Sequence, residues 1–159
     1  MNIVFVCTAN ICRSVMAEAL LKRVVGKRKR LSISSAGIDV DVSALPDPVT
    51  TEVCLRQGVD IQNHRPRQLT AVIIERADLL LCLGENHRNV ITGAYPKQAR
   101  KVFVLKEYGR NTEGGELTIE DPTGRSRQDY ERCFREIEEE IERISPLLTP
   151  RTTTLAHRS

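Results

Sequence analysis

The apolar positions of this chain fall into two kinds of run. Ile3-Val4-Phe5-Val6 is short, continuous and β-branched or aromatic, the pattern of a strand buried on both faces. Leu79 to Leu83 and Lys101 to Leu105 read the same way, and Leu31-Ser32-Ile33-Ser34 alternates as a further strand that stops at Ala36-Gly37. Between the strands lie helical periods. Ser14 to Val25 sets Ala17, Leu20, Leu21 and Val24 on one face, closes at Gly26, and is followed by Lys27-Arg28-Lys29-Arg30, which reads as a solvated helix end suited to the negative pole of the dipole. Residues 38 to 48, with Pro46 and Pro48, read as a loop. Thr50 to Gln57, closed by Gly58, and Leu69 to Arg76 read as two shorter helices. The last element is the clearest: Tyr130, Cys133, Phe134, Ile137, Ile141 and Ile144 recur at helical spacing up to Pro146. Beyond it the apolar period is lost, so a single domain is expected over residues 1–147 and a disordered tail over 148–159. Alternation of strand and helix predicts an α/β fold with a mostly parallel sheet. Ligands of such sheets sit at the carboxyl ends of the strands, near the switch in strand order, and the first strand ends at Cys7.

Composition narrows the picture by exclusion. A chain of 159 residues is one domain, or one domain with a tail, and no stretch approaches the roughly 20 apolar residues of a membrane span. The start, Met1-Asn2-Ile3-Val4-Phe5-Val6, lacks the basic region of a signal peptide, so a soluble, cytoplasmic protein is expected, with no membrane partner. Five cysteines, at positions 7, 12, 54, 82 and 133, are an odd number without a CxxC pair, and His64, His87 and His157 are scattered. A disulfide framework and a structural zinc site are therefore not expected. The net charge of +3 is too mild to call for nucleic acid and suits an anionic substrate.

Chemistry concentrates in Cys7-Thr8-Ala9-Asn10-Ile11-Cys12-Arg13-Ser14, which joins a buried strand to a helix N-terminus. Such a turn aims backbone N–H groups inward and the helix dipole adds positive potential, which favours a bound anion. Arg13 offers a planar fork to two phosphate oxygens, and the Ser14 hydroxyl can donate to sulfur. A cradle that holds a phosphate also holds a thiolate, so Cys7 is the candidate nucleophile, with Thr8, Ala9, Asn10, Ile11, Cys12 and Ser14 as candidate substrate-binding residues. A bare C-x5-R is common by chance. Its setting, with strand before, helix after and serine following, is what points to catalysis.

These residues resemble the low-molecular-weight protein tyrosine phosphatases and their bacterial relatives, whose N-terminal pattern is V-C-x-G-N-x-C-R-S-P against Val6 to Val15 here. The likeness continues through Met16-Ala17-Glu18, Ser34-Ser35-Ala36-Gly37, His64-Arg65-Pro66-Arg67-Gln68-Leu69, Ala77-Asp78-Leu79 and Asp121-Pro122, covering about residues 1 to 145. It implies a four-stranded parallel sheet flanked by helices on both faces. It also implies a cofactor-free, metal-free hydrolase of phosphoproteins, monomeric or weakly dimeric, working through a phosphocysteine. The resemblance gives Asp121 the role of general acid, which Asp-Pro alone would mark only as a turn. Cys7 then attacks phosphorus while Arg13 and the loop amides hold the equatorial oxygens. Asp121 protonates the leaving oxygen and afterwards serves as base for water.

Several positions depart from the family pattern. Ala9 replaces a glycine, which is tolerable if its φ is negative, and Asn10, tolerant of left-handed geometry, is kept. Val15 replaces a proline. Thr123, a candidate substrate contact, stands where many relatives have an aromatic, and the loop from Gly37 to Ser43 also lacks one. The pocket is thus expected to be more open and polar. In relatives that have both loop cysteines, the residue at Cys12 can form a disulfide with the nucleophile, which gives Cys12 a redox role beside a packing one. Cys54, Cys82, Cys133 and Tyr130 read as core, and His64 and His87 as structural. Thioredoxin-coupled arsenate reductases share the scaffold, but the cysteine relay that Cys82 would begin is incomplete with Asn89. A non-catalytic phosphate-binding module is disfavoured because Cys7, Arg13 and Asp121 are all present. The segments 101–108 and 121–124 are similar to a branch containing protein-arginine phosphatases. In that branch a threonine occupies the place of Ile11 and helps select phosphoarginine; Ile11 matches the tyrosine-specific members, so phosphotyrosine is the expected substrate and phosphoarginine the alternative.

Overall fold

The computed structural model describes residues 1–27, 30–111 and 113–149. It has four strands, β1 (Asn2–Cys7), β2 (Ser32–Gly37), β3 (Leu79–Cys82) and β4 (Val102–Val104), in one sheet of order β2-β1-β3-β4. Every pairing is parallel, with Cys7 opposite Gly37, Val6 opposite Cys82 and Cys82 opposite Val104. The helices are α1 (Arg13–Val25), α2 (Pro48–Arg56), α3 (Ala71–Arg76), α4 (Glu85–Ala94) and α5 (Arg127–Leu148), with a 3-10 turn over Pro96–Lys101. Because β1 is all but fully buried, its alternate side chains feed two cores. Ile3 and Phe5 join α1, α2 and α5 on one face, and Val4 and Val6 join α3 and α4 on the other. The expected α/β architecture with helices on both faces is what forms.

The element ends differ from the sequence pattern for local reasons. Helix α2 begins at Pro48, inside the expected loop, because the Asp47 carboxylate accepts the Thr50 N–H at 3.0 Å and proline fits the first helical position. Helix α3 begins only at Ala71, since Leu69 donates its N–H to the Gly37 carbonyl at 2.7 Å and the Thr70 hydroxyl caps the helix. Helix α4 carries no strong apolar stripe and gave no sequence signal. Pro146 does not end α5. The Glu142 carbonyl it leaves without a backbone donor accepts the Ser145 hydroxyl at 3.2 Å, and Leu148, 2% exposed, anchors the last turn. The domain boundary expected after residue 147 therefore falls inside the helix. The rest of the expected tail, 150–159, and Arg28 and Lys29 of the basic run lie outside the described residues. Among the described residues no helix is long and apolar enough to cross a membrane.

Strand order places the site. The chain leaves β1 for β2 on one side and returns to β3 on the other, so the carboxyl end of β1 is the switch point, occupied by Cys7. Gly37, beside it, permits the close approach of the two strand ends. A Cβ there would sit 2.5 Å from the Thr8 carbonyl oxygen and 2.5 Å from Val40 Cγ2. Gly37→Ala should therefore destabilise the fold by about 1–3 kcal/mol in urea unfolding, as overpacking does. An unchanged midpoint would show that the strand ends separate freely.

Candidate active site

The loop from Cys7 to Arg13 is shaped by one residue. Asn10 has φ 55°, and among the described residues it alone has positive φ without being glycine. Ala9 is therefore outside the left-handed region, and its methyl costs nothing there. Asn10 is fully buried and each polar atom of its side chain is used. Its amide donates to Ser14 Oγ at 2.8 Å and Ser35 Oγ at 2.9 Å, and its carbonyl accepts the Arg67 N–H at 3.0 Å. Its backbone carbonyl lies 2.9 Å from His64 Nε2. Ser14 Oγ, having accepted from Asn10, keeps its own proton for Cys7 Sγ, 2.8 Å away. The Ser35 hydroxyl donates to one oxygen of the Glu18 carboxylate, whose other oxygen accepts Lys22 Nζ at 2.6 Å. One chain of hydrogen bonds, buried up to its last link, thus runs from the Cys7 sulfur to a half-buried carboxylate on α1.

The remaining loop residues are held from both sides. The Thr8 hydroxyl lies 3.0 Å from His87 Nε2 on α4, the Thr8 carbonyl accepts the Asp39 N–H at 3.0 Å, and the Ile11 carbonyl accepts the Asp47 N–H at 3.0 Å. Cys12 caps α1 without a side-chain bond, and no acidic residue stands in the first turn, so the N–H groups there face no protein anion on their own helix. The Val15 substitution leaves that start intact.

Asp121 arrives from a distant loop that is pinned to the sheet. Ile119, fully buried, donates its N–H to the Leu83 carbonyl at 2.9 Å and accepts Arg13 Nη1 at 3.1 Å. Arg13 is itself buried, and its Nη2 lies 3.8 Å from Asp121 Oδ2. Partial burial alone would raise the Asp121 carboxyl. Bonds from the Thr123 hydroxyl at 2.7 Å and N–H at 3.1 Å, with the charges of Arg13 and Arg125, outweigh it and hold the carboxyl below its usual range. Thr123 is thus set to fix the carboxylate in place. The loop that the sequence marks and the acid that the resemblance supplies meet at one place.

Burial pushes the thiol of Cys12 above its usual range and those of Cys54 and Cys133 up to about 12. Cys82, within β3, is raised in the same way by burial. Those last three pack as core. The contributions of Ser35, Glu18 and Arg67 were not visible as chemistry in the sequence; a serine in the buried half of a strand was the signal available. Among the described residues no three or more His, Cys, Asp or Glu side chains gather to hold a metal ion.

Comparison with known proteins gives concordant matches. The family described as low molecular weight phosphotyrosine protein phosphatase matches residues 2–153. A protein-arginine-phosphatase of Bacillus subtilis is 34% identical, over 93% of this chain and 97% of its own. A probable low molecular weight protein-tyrosine-phosphatase, EpsP of Ralstonia solanacearum, is 33% identical, over 91% and 94%. The solved structure of the YwlE arginine phosphatase from Geobacillus stearothermophilus superposes with a TM-score of 0.85 at 30% identity, covering 99% of this chain and 97% of that one.

His87 yields a stability test. It is fully buried, its Nδ1 has no hydrogen-bond partner, and its pKa is pushed down to about 4, first by burial and then by the Arg13 charge, with Asp121 opposing. The unfolded chain, near 6.5, binds a proton that the native state refuses, so stability falls as pH drops from about 7 toward 4. In urea unfolding, His87→Gln should lose less stability than the parent between about pH 7 and 5, where carboxylates contribute little. Equal losses would place the acid sensitivity elsewhere.

Proposed function

The chain belongs to the low-molecular-weight phosphotyrosine protein phosphatase family and is a protein phosphatase; on that premise we propose that it hydrolyses phosphotyrosine in proteins, with Cys7 as nucleophile, Arg13 as phosphate clamp and Asp121 as general acid. The observation that carries this reading is the convergence of three groups from two loops distant in sequence. Cys7 Sγ takes the Ser14 hydroxyl at 2.8 Å, and Arg13, beside it, lies 3.8 Å from Asp121. The amides from Thr8 to Ser14 complete the cradle that a transferring phosphoryl group needs. In this reading Asp121 is ionised before substrate arrives, because Arg13, Arg125 and Thr123 favour its charge. A bound phosphate dianion draws Arg13 to itself and adds negative charge beside the carboxylate. Both effects favour protonation, so the acid is loaded by the substrate it will serve.

Asp121→Asn should slow turnover by roughly 10²-fold, the usual scale of general acid catalysis. The loss should be larger for alkyl than for activated aryl phosphates; an equal loss across leaving groups would make Asp121 a turn residue only.

Two relatives carry different substrate names, arginine and tyrosine, and the choice here rests on the walls of the site. Ile11, partly exposed on the loop, offers methyls to a flat ring and no acceptor to a guanidinium. The segment 38–47, tied at both ends to the loop, exposes Val42 and Leu45 nearby in sequence to those ties. Ring burial against Ile11 is worth about 1 kcal/mol on the usual area scale, roughly a fivefold preference. kcat/KM should therefore be higher for phosphotyrosine peptides than for matched phosphoarginine peptides, and Ile11→Thr should narrow or reverse the gap. Faster hydrolysis of phosphoarginine by the parent protein would reassign the substrate.

Cys12 is proposed as the resolving thiol after peroxide oxidises Cys7. Burial keeps Cys12 protonated, which makes ring closure slow but leaves it the nearest cysteine in sequence. Peroxide-inactivated protein should regain activity with a dithiol, and Cys12→Ser should make recovery poorer. Mass spectrometry finding no Cys7–Cys12 link in the oxidised protein would reduce Cys12 to packing.

A further inference from the structure

One cavity lies away from the Cys7 sulfur. It has a volume of about 640 Å³ and lies between α1, the middle of β2 and the segment 58–67, within the usual size of a small-molecule site. Its lining includes the apolar side chains of Val15, Ala19, Val59 and Ile61, with Ser35 buried beside them. Its rim carries Lys22, Arg23, Arg65 and Arg67 against Glu18 and Asp60, a surplus of positive charge. Glu18 is taken by Lys22 at 2.6 Å and by Ser35, and Arg23 pairs with Glu138 at 3.1 Å. Among the described residues Arg65 and Arg67 have no carboxylate partner. The Arg65 guanidinium bonds only the carbonyls of Gln62 and His64, and the Arg67 guanidinium only the Ser35 carbonyl and the Ser34 hydroxyl. Two unneutralised guanidinium groups beside a cluster of four apolar side chains suit a molecule with a flat apolar body and one anionic group.

The walls of this cavity are also the supports of the catalytic loop. Ser35 Oγ, His64 Nε2 and the Arg67 N–H each contact Asn10, at 2.9, 2.9 and 3.0 Å, and Glu18 reaches it through Ser35. Asn10 in turn holds Ser14 at 2.8 Å, and Ser14 holds the Cys7 sulfur at 2.8 Å. A ligand that draws Arg67 or His64 toward itself moves one of the groups that hold Asn10 at positive φ. We propose that the cavity binds a small amphipathic organic anion, and that its occupancy changes the rate of the chemical step through the Asn10–Ser14–Cys7 contacts. The kinetic half of this proposal rests on the phosphatase reading above; the binding half does not.

The test uses naphthalene-2-carboxylate on the full chain, because its planar carboxylate mismatches a cradle built for tetrahedral phosphate. In amide NMR titrations saturable shifts are expected at Ala19, Val59, Ile61 and Arg65, with affinity near or below about 1 mM. At saturating aryl phosphate, kcat should change by about fivefold, the lower end of common couplings between sites. Ala19→Phe, which fills the cavity, should abolish both responses. Arg65→Glu, on the exposed rim, should do so without touching the core, and it keeps the test valid if the first variant misfolds. Shifts confined to residues 7–14 with competitive inhibition, no saturation, unchanged kcat on binding, or parent-like binding by Arg65→Glu would each overturn the proposal. Absence of turnover before any probe is added would instead fault the phosphatase reading, which the NMR titration does not need.

Discussion

A side-chain amide held in the left-handed region is an unusual keystone, yet the catalytic end of this molecule is built around one. Asn10 places both polar atoms of its side chain in a site with no access to water, and their three hydrogen bonds go to different parts of the chain: Ser14 on α1, Ser35 on β2 and Arg67 before α3. An amide left unsatisfied at such a position costs about 1–3 kcal/mol per group. The network therefore fixes the loop and also commits β2, α1 and the 58–67 segment to their relative positions. The Cys7 sulfur is the last member of that network, and its surroundings are set by contacts made well away from it.

The acid loop is joined to this centre by a different logic. Its backbone is secured on both sides of Ile119, by Leu83 at the end of β3 and by the buried Arg13 guanidinium. Arg13 therefore has two engagements in the free protein, one with a carbonyl that locates the loop and one with the Asp121 carboxylate. In the proposed mechanism substrate competes only for the second. The carboxylate can then change protonation state while the loop that carries it stays where it is, so the reaction needs little reorganisation of the scaffold.

Strands were legible because a strand buried on both faces is written as a continuous apolar run, and β1 and β3 are such runs. The loop proposed to carry the nucleophile was legible because its residue types and spacing are tied to a strand end and a helix start. Helix α4 was not, since its buried residues, His87 and Ile91, are too few to mark a face and Gly93 lies within it. The end of α5 was misplaced because proline's missing N–H was answered by a neighbouring hydroxyl that no periodicity shows. Asp121 needed the family likeness, because an Asp-Pro turn carries no sign of what it faces across 108 residues of chain from Arg13. The supporting shell of Glu18, Ser35 and Arg67 is a property of three-dimensional closure, and composition offers only scattered polar residues in its place.

All five cysteines are buried, and in four of them burial drives the thiol toward its protonated form. The fifth, Cys7, alone combines a hydroxyl donor at its sulfur with a position at the open end of the sheet. With Cys7 as the proposed nucleophile, a chain rich in sulfur is left with a single address for a soft electrophile. Burial holds the other four thiols in their less reactive protonated form, and on that proposal a haloacetamide or vinyl sulfone meeting the intact protein would write its adduct at the strand end, a one-per-molecule tag for how much of the population is folded.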